Sequence, residues 1–183
     1  MSAGVTDPQV IGTIELSSTA LMSLIMARIG KSSARVRSGG SGVRFKDDIH
    51  ASLVVAMREA LTLRHSSVDT EHLLLGILAI KAGRPNTILS RLGVNPAHVH
   101  DALLARMRPG HAYATSDLPY SHRAFRVLDE TALEALALGH KQAGTEHVVL
   151  GILRLGKGPA ARVLLEAGVT LESMRRETAR YPD

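Results

Sequence analysis

The chain has 183 residues, 45% hydrophobic and 21% charged. That balance excludes a wholly disordered or collagen-like chain and suffices for a buried core without staples. It contains no cysteine, so disulfides, thiolate metal sites, iron–sulfur clusters and cysteine nucleophiles are all excluded. Aromatic residues are 3% with no tryptophan, and 22 Lys and Arg stand against 17 Asp and Glu, a net charge of +5. Base-stacking platforms are hard to build from so few rings, and a charge of this size permits weak phosphate binding without demanding it.

The most apolar stretch is 9–29 (VIGTIELSSTALMSLIMARIG). No Lys or Arg precedes Arg28, so the basic start of a signal peptide is missing. Glu15 and several hydroxyls break the uniform apolar run that a membrane span needs. Ile11, Ile14, Leu21, Leu24, Ile25 and Ile29 recur at helical spacing, which predicts an amphipathic helix packed on the body or on a partner. Arg28, Lys31, Arg35 and Arg37 follow it, which leaves a membrane-surface helix as the minority reading. Ser38-Gly39-Gly40-Ser41-Gly42 reads as a flexible linker.

Beyond the linker the chain repeats itself at an offset of 75. Thr70-Glu71-His72 recurs as Thr145-Glu146-His147, and Leu75-Gly76-Ile77-Leu78 as Leu150-Gly151-Ile152-Leu153. Leu53, His65, Gly83, Leu89 and Gly93-Val94 fall on Leu128, His140, Gly158, Leu164 and Gly168-Val169 without a gap. The expected organisation is an arm at 1–37, a linker at 38–43, one repeat at 44–108, a Pro- and Gly-containing linker at 109–119, and a second repeat at 120–183. Each repeat reads as four short helices. In the first, Asp47–Arg64 carries Ile49, Leu53, Ala56, Met57, Ala60 and Leu61 at a period near 3.6. Thr70–Ile80 is a near-continuous apolar run, expected to be a buried central helix opened by Thr70 as its cap. A third helix starts near Pro85 and ends at Gly93, and Asn95 caps a fourth. The second copy predicts helices at Ser121–Leu138, Thr145–Leu155, Pro159–Ala167 and Thr170–Arg180. With no alternating apolar pattern or Asn-Gly hairpin, the fold class is all-α: two tandem four-helix repeats after an extra amino-terminal helix.

Residues 138–169 (LGHKQAGTEHVVLGILRLGKGPAARVLLEAGV) strongly resemble the amino-terminal domain of Clp unfoldases, especially the ClpC type. That domain is a tandem of two four-helix repeats, each with a G-T-E-H-[ILV]-L-L-G signature. The resemblance covers roughly 44–182 and is looser in the first repeat, where Asp69-Thr70-Glu71-His72 replaces Gly-Thr-Glu-His. The R-F-K-D-D at 44–48 is similar to the family's R-F-T-[ED]-R, and Y-S-H-R-A at 120–124 to its Y-T-P-R-A. Full-length unfoldases continue into ATPase modules, whereas these 183 residues hold no G-x-x-x-x-G-K-[ST] phosphate loop. The resemblance therefore implies a stand-alone double Clp-N protein: a cytoplasmic, non-catalytic module without ATP binding or cofactor. It would bind substrates or adaptors of the Clp protease system, or regulate a Clp unfoldase.

The resemblance also implies a receptor for phosphorylated arginine, with Glu71 and Glu146 as the acidic residues of the two signatures. The chemistry is coherent. A helix start offers free backbone N–H groups and the positive end of the dipole to a phosphoryl group, and a first-turn carboxylate accepts guanidinium N–H bonds. Thr70 and Thr145 sit at those starts, and Arg44, Lys46, Ser121 and Arg123 are candidate donors. The competing reading is structural, since Thr as a cap and Glu in the first turn stabilise a helix without any ligand. Asp69 adds a negative charge that disfavours phosphate in the first repeat, which favours Glu146 over Glu71. His72 and His147 read as packing or hydrogen-bonding residues rather than ligands.

Other constellations carry less. His65, Asp69, Glu71 and His72, or His140, Glu146 and His147, fit no metal template, and the remaining histidines are expected mostly at the surface. No G-x-S-x-G elbow is present. Gly156-Lys157-Gly158 reads as an interhelical turn, and Met22, Met26 and Met57 as apolar helix faces. The alternative function is a small basic helical protein binding nucleic acid through Arg28–Lys46. No recognition-helix motif accompanies that stretch, so a solvated linker is preferred there, and the expected partners are proteins rather than nucleic acid or membrane.

Overall fold

A computed structural model describes residues 43–112 and 118–182. The expected amino-terminal helix, the linker at 38–42 and the middle of the 109–119 linker lie outside the described residues. A two-residue strand β1 (Arg44–Phe45) leads into α1 (Asp47–Thr62), α2 (Thr70–Ala79), α3 (Arg84–Arg91) and α4 (Pro96–Leu104). The second repeat holds α5 (His122–Ala137), β2 (Gln142–Ala143), α6 (Thr145–Leu155), α7 (Pro159–Glu166) and α8 (Leu171–Thr178).

Each helix forms where its apolar spacing and end residues demand it. In α1, Ile49, Leu53, Ala56, Met57 and Ala60 are buried on one face, and Asp47 and Asp48 occupy the first turn, where the helix dipole favours acids. α2 and α6 are buried nearly all round, as their unbroken apolar sequences require. Pro85 and Pro96 stand in the first turns of α3 and α4, where a missing N–H costs nothing. The Asn95 side chain accepts from Ala97 N at 2.9 Å, and Thr170 does the same at α8 for Ser173 N at 3.1 Å.

The central helices cross the first helix of their own repeat at very close range. A methyl group on Gly76 would lie 2.2 Å from the Ser52 carbonyl oxygen, and one on Gly151 would lie 2.6 Å from that of Val127. The glycine of each L-G-I-L run is thus fixed by backbone proximity. The third helices bridge the two repeats. α3 packs on α6 and α8 of the second repeat, while α7 packs on α2 and α4 of the first. The two repeats therefore share one core, in which Leu73, Leu75, Ile88, Leu89, Leu128, Leu150, Ile152 and Leu164 are buried together.

Two features depart from the sequence reading. β1 pairs in parallel with β2, Phe45 opposite Ala143, and the equivalent pairing at offset 75 is an isolated bridge between Val68 and Tyr120. These pairings are too short for an alternating pattern to register. They bind the entry of each repeat to the loop before the central helix of the other. The caps of α2 and α6 are Asp69 and Gly144, whose extended backbone precedes each helix, one residue earlier than expected, and the Thr70 and Thr145 hydroxyls bond to Glu71 and Asp48. No helix among the described residues is long and apolar enough to cross a membrane.

Candidate functional site

The parallel pairings bring the start of each repeat against the start of the other repeat's central helix, creating two pseudo-equivalent sites. At the first, the Asp69 Oδ1 accepts from Thr70 N at 2.8 Å and from the Ser121 hydroxyl at 2.8 Å. Arg123 Nε donates to Asp69 Oδ2 at 3.2 Å, and its Nη2 closes an ion pair on the same oxygen. Burial raises the Asp69 pKa, but the Arg123 guanidinium, Thr70 N–H and Ser121 hydroxyl outweigh it and hold the carboxyl below its ordinary value. Glu71 is half-buried, and the Thr70 hydroxyl donates to its Oε2 at 3.2 Å. Burial pushes the Glu71 carboxyl up, and the neighbouring Asp69 charge pushes it in the same direction.

Glu71 lines an open cleft of about 300 Å³ with Arg64, Ser66, Ser67, Asp69 and His111. Arg64 stands at the end of α1 with φ 54°, whereas its counterpart Gly139 has φ 74°. A side chain in that left-handed conformation costs about 1 kcal/mol, which glycine avoids. The first repeat therefore keeps a cation at the cleft wall where the second has no side chain.

The second site has the same backbone and opposite charges. Asp48, the counterpart of Arg123, reaches the start of α6, where its Oδ2 accepts from Thr145 Oγ1 at 3.0 Å and from Thr145 N at 3.3 Å. Glu146 is fully buried, and Arg84 Nη1 donates to its Oε1 at 3.0 Å. Its Oε2 has no hydrogen-bond partner. Both carboxylate oxygens lie within 2.8 Å of where a Cβ on Gly144 would stand. Glycine at the cap is what lets Glu146 fold back over the helix start. Asp69 brings a Cβ to the equivalent place in the first repeat. Likewise Arg84 is available to Glu146, while its counterpart ahead of Glu71 is Pro159.

The histidines of the two signatures act on the caps. Asp69 N donates to His72 Nδ1 at 2.9 Å and Gly144 N to His147 Nδ1 at 3.0 Å. An N–H donor requires an unprotonated Nδ1, so Nε2 carries the proton in both. His72 Nε2 then donates to His65 Nδ1 at 2.7 Å, and His147 Nε2 to His140 Nδ1 at 2.8 Å. His65 Nε2 completes the first relay by donating to the Arg108 carbonyl at 2.8 Å. No group of three or more potential metal ligands forms among the described residues.

The expected site residues thus divide. Thr70, Glu71, Ser121 and Arg123 come together at the first site. Thr145 and Glu146 are together at the second. Arg44 is an exposed residue of β1, opposite Gln142 in the strand pairing. Sequence reasoning missed Asp48, Arg64 and Arg84. The signal was available in the internal alignment, because positions 48/123, 69/144 and 84/159 differ in charge while their surroundings repeat.

This architecture is a pseudo-symmetric pair of four-helix repeats with a polar site at the start of each central helix. A family model, the Clp repeat (R) N-terminal domain, matches residues 44–167 and 120–181, and the chain belongs to that family. It is 35% identical over 134 residues to the negative regulator of genetic competence ClpC/MecB of Bacillus subtilis, covering 73% of this chain and 16% of that protein. It is 34% identical over 134 residues to the chaperone protein ClpB of Oceanobacillus iheyensis, again covering 73% of this chain and 16% of that protein. The chain thus spans about a sixth of the length of these relatives. The fold matches the N-terminal domain of the chaperone ClpD from Arabidopsis thaliana with a TM-score of 0.59 at 23% identity, over 75% of this chain and 93% of that one. It also matches the Hsp104 N-terminal domain from Candida albicans with a TM-score of 0.61 at 14% identity, over 73% and 88%.

Proposed function

We propose that this chain is a non-catalytic protein-binding module of the Clp system, serving a Clp unfoldase by capturing substrates or adaptors or by regulating it. Family membership supports the class. Within it, we assign recognition of phosphoarginine-tagged chains to the Glu71 cleft rather than to Glu146, reversing the order that the sequence suggests. The carrying observation is the open cleft in which Glu71 closes no ion pair among the described residues. Glu146, by contrast, is buried under Arg84. The Asp69 charge that disfavours phosphate is neutralised by Arg123. In this reading Glu71 accepts the guanidinium N–H groups and Arg64, Ser66 and Ser67 donate to the phosphoryl oxygens. At the second site the Asp48 carboxylate already occupies the start of α6, where a phosphoryl group would otherwise sit.

Calorimetric titration with a phosphoarginine peptide, against its arginine counterpart and free phosphate, tests the reading. The expected result is saturable binding of the phosphoarginine peptide only, lost at least tenfold in Glu71→Gln and retained in Glu146→Gln. Equal affinity for the three ligands, or binding that survives Glu71→Gln, overturns the assignment. Capture of a purified Clp unfoldase by the full chain separately tests the broader class.

A further inference from the structure

Away from these sites the first repeat holds a cavity of about 500 Å³ between the end of α2, α3 and the start of α4. Its walls include Leu78, Ala79, Thr87, Pro96 and Ala97, with Lys81 and His100 at the rim. The second repeat carries longer side chains at two of the equivalent positions. The counterparts of Ala79 and His100 are Arg154 and Arg175, and both hold the buried Glu134. Arg154 Nη1 lies 2.7 Å from Glu134 Oε1, and Arg175 Nε lies 2.7 Å from Oε2. The first repeat thus has small or short residues where the second has an ion-pair clamp.

Beneath the groove an acceptor is left unmet. Asn86 is 8% exposed, and its Nδ2 donates to the carbonyls of Leu78 at 3.1 Å and Ile80 at 3.0 Å. Those carbonyls can only accept, so the amide orientation is fixed and Oδ1 faces away from them without a partner. A buried acceptor without a donor costs about 1–3 kcal/mol. That oxygen lies beneath the groove surface, and the lining itself offers Leu78, Ala79, Pro96 and Ala97 beside the Lys81 cation, which suits an occupant with apolar side chains and a carboxylate.

We propose that the groove is the docking site for residues 9–29 of the same chain. In helical register, Ile14, Ser18, Leu21 and Ile25 fall on one face, which presents three apolar side chains and one hydroxyl. Between residues 8 and 27 the only charged side chain is Glu15. The groove lining contains Lys81 and no carboxylate, so the charges are complementary. The tether permits it. Thirteen residues, 30–42, join the segment to Val43, and such a length reaches about 43 Å, on the order of the width of a domain of this size. In this arrangement the arm occupies the groove until a competing partner displaces it.

The test uses the full chain, which has no native cysteine, with a polarity-sensitive dye on Thr87→Cys at the groove wall. The expected emission is that of an apolar environment, independent of protein concentration, and shifted to the water-exposed value by Leu21→Asp/Ile25→Asp in the arm. Hydrogen exchange on the unlabelled chain supplies a second readout, with α3 and α4 amides losing protection in the same arm variant while far-ultraviolet dichroism stays constant. Water-like emission in the unsubstituted arm, or equal protection with and without the arm substitutions, overturns the proposal. A signal that appears only on raising protein concentration assigns the groove to a second copy and overturns it. A signal that appears only with anionic phospholipid vesicles overturns it in favour of a membrane role for the arm.

Discussion

His72 shows how one residue of a short signature can serve a cap and a relay together. Its Nδ1 must stay unprotonated to accept from Asp69 N, and its Nε2 proton is given to His65. Protonation would set an N–H against the Asp69 N–H. Burial pushes the His72 pKa down from its ordinary 6.5 to about 4, and the neighbouring His65 adds to that shift. Between those two values the unfolded chain binds a proton that the folded chain refuses, so stability must rise with pH in that window. His72's contribution is complete above pH 6.5, declines as pH falls toward 4 and is flat below. At about 1.4 kcal/mol per pH unit, the loss over the window is at most about 3 kcal/mol. His72→Gln keeps an acceptor at the third helical position without the titration. Urea unfolding from pH 7 to 4 should therefore give a shallower decline for the variant, by close to one proton per molecule. An unchanged slope would place the acid sensitivity elsewhere.

Among the elements, the third helices do the most to distinguish the two sites. α3 presents Arg84 to the buried Glu146, and the Tyr181 ring lies against both Arg84 and Arg91, with centroid distances of 5.7 and 5.3 Å. α7 begins instead with Gly158 and Pro159, and a Cβ on Gly158 would stand 2.7 Å from the Thr70 hydroxyl. Arg84→Ala removes the arginine from a carboxylate that has no exposure. Leaving such a group unmatched should cost about 2 kcal/mol of unfolding free energy. The paired substitution Arg84→Leu/Glu146→Leu removes the stranded charge along with its partner and should recover most of the loss. Urea denaturation of the three chains decides it, and a double variant no better than Arg84→Ala alone would show that the pair is held for packing rather than for charge.

The helices themselves were legible because apolar period, proline and cap residues agree locally, as at Asn95-Pro96 and Gly158-Pro159. The charge arrangement of the sites was not. Asp48 and Thr145, or Arg123 and Asp69, are joined only through the parallel strand pairings, and two-residue strands leave no periodic trace. The depth of Glu146 depends on the missing Cβ of Gly144, a constraint that no propensity scale registers. The repeat alignment identified the equivalent positions without showing that each site is assembled from both copies.

At the scale of the molecule, that shared assembly governs cooperativity. Two repeats joined by a linker could unfold independently if each had its own core. Here α3 packs on α6 and α8 of the second repeat as well as on its own α2 and α4, and α7 packs on α2 and α4 of the first as well as on its own α6. Each repeat without the other would expose the apolar faces of its central helix and of its third helix. The described residues should therefore unfold in one transition, whichever repeat is weakened. Leu89 on α3 and Leu164 on α7 are equivalent and fully buried. Truncation of either to alanine should cost about 2–5 kcal/mol. Far-ultraviolet dichroism should then report the same lowered denaturant midpoint as amide exchange followed in the opposite repeat, with an unchanged denaturant slope. Two separated transitions in Leu89→Ala, with the second repeat retaining its original midpoint, would mean that the bridging helices dock on cores that already stand alone. One transition in both variants makes the pair of repeats the smallest folding unit. Any partner that prises α3 from α6 must then work against the stability of the whole module, and the Glu71 cleft and the Asn86 groove become openings in one rigid body.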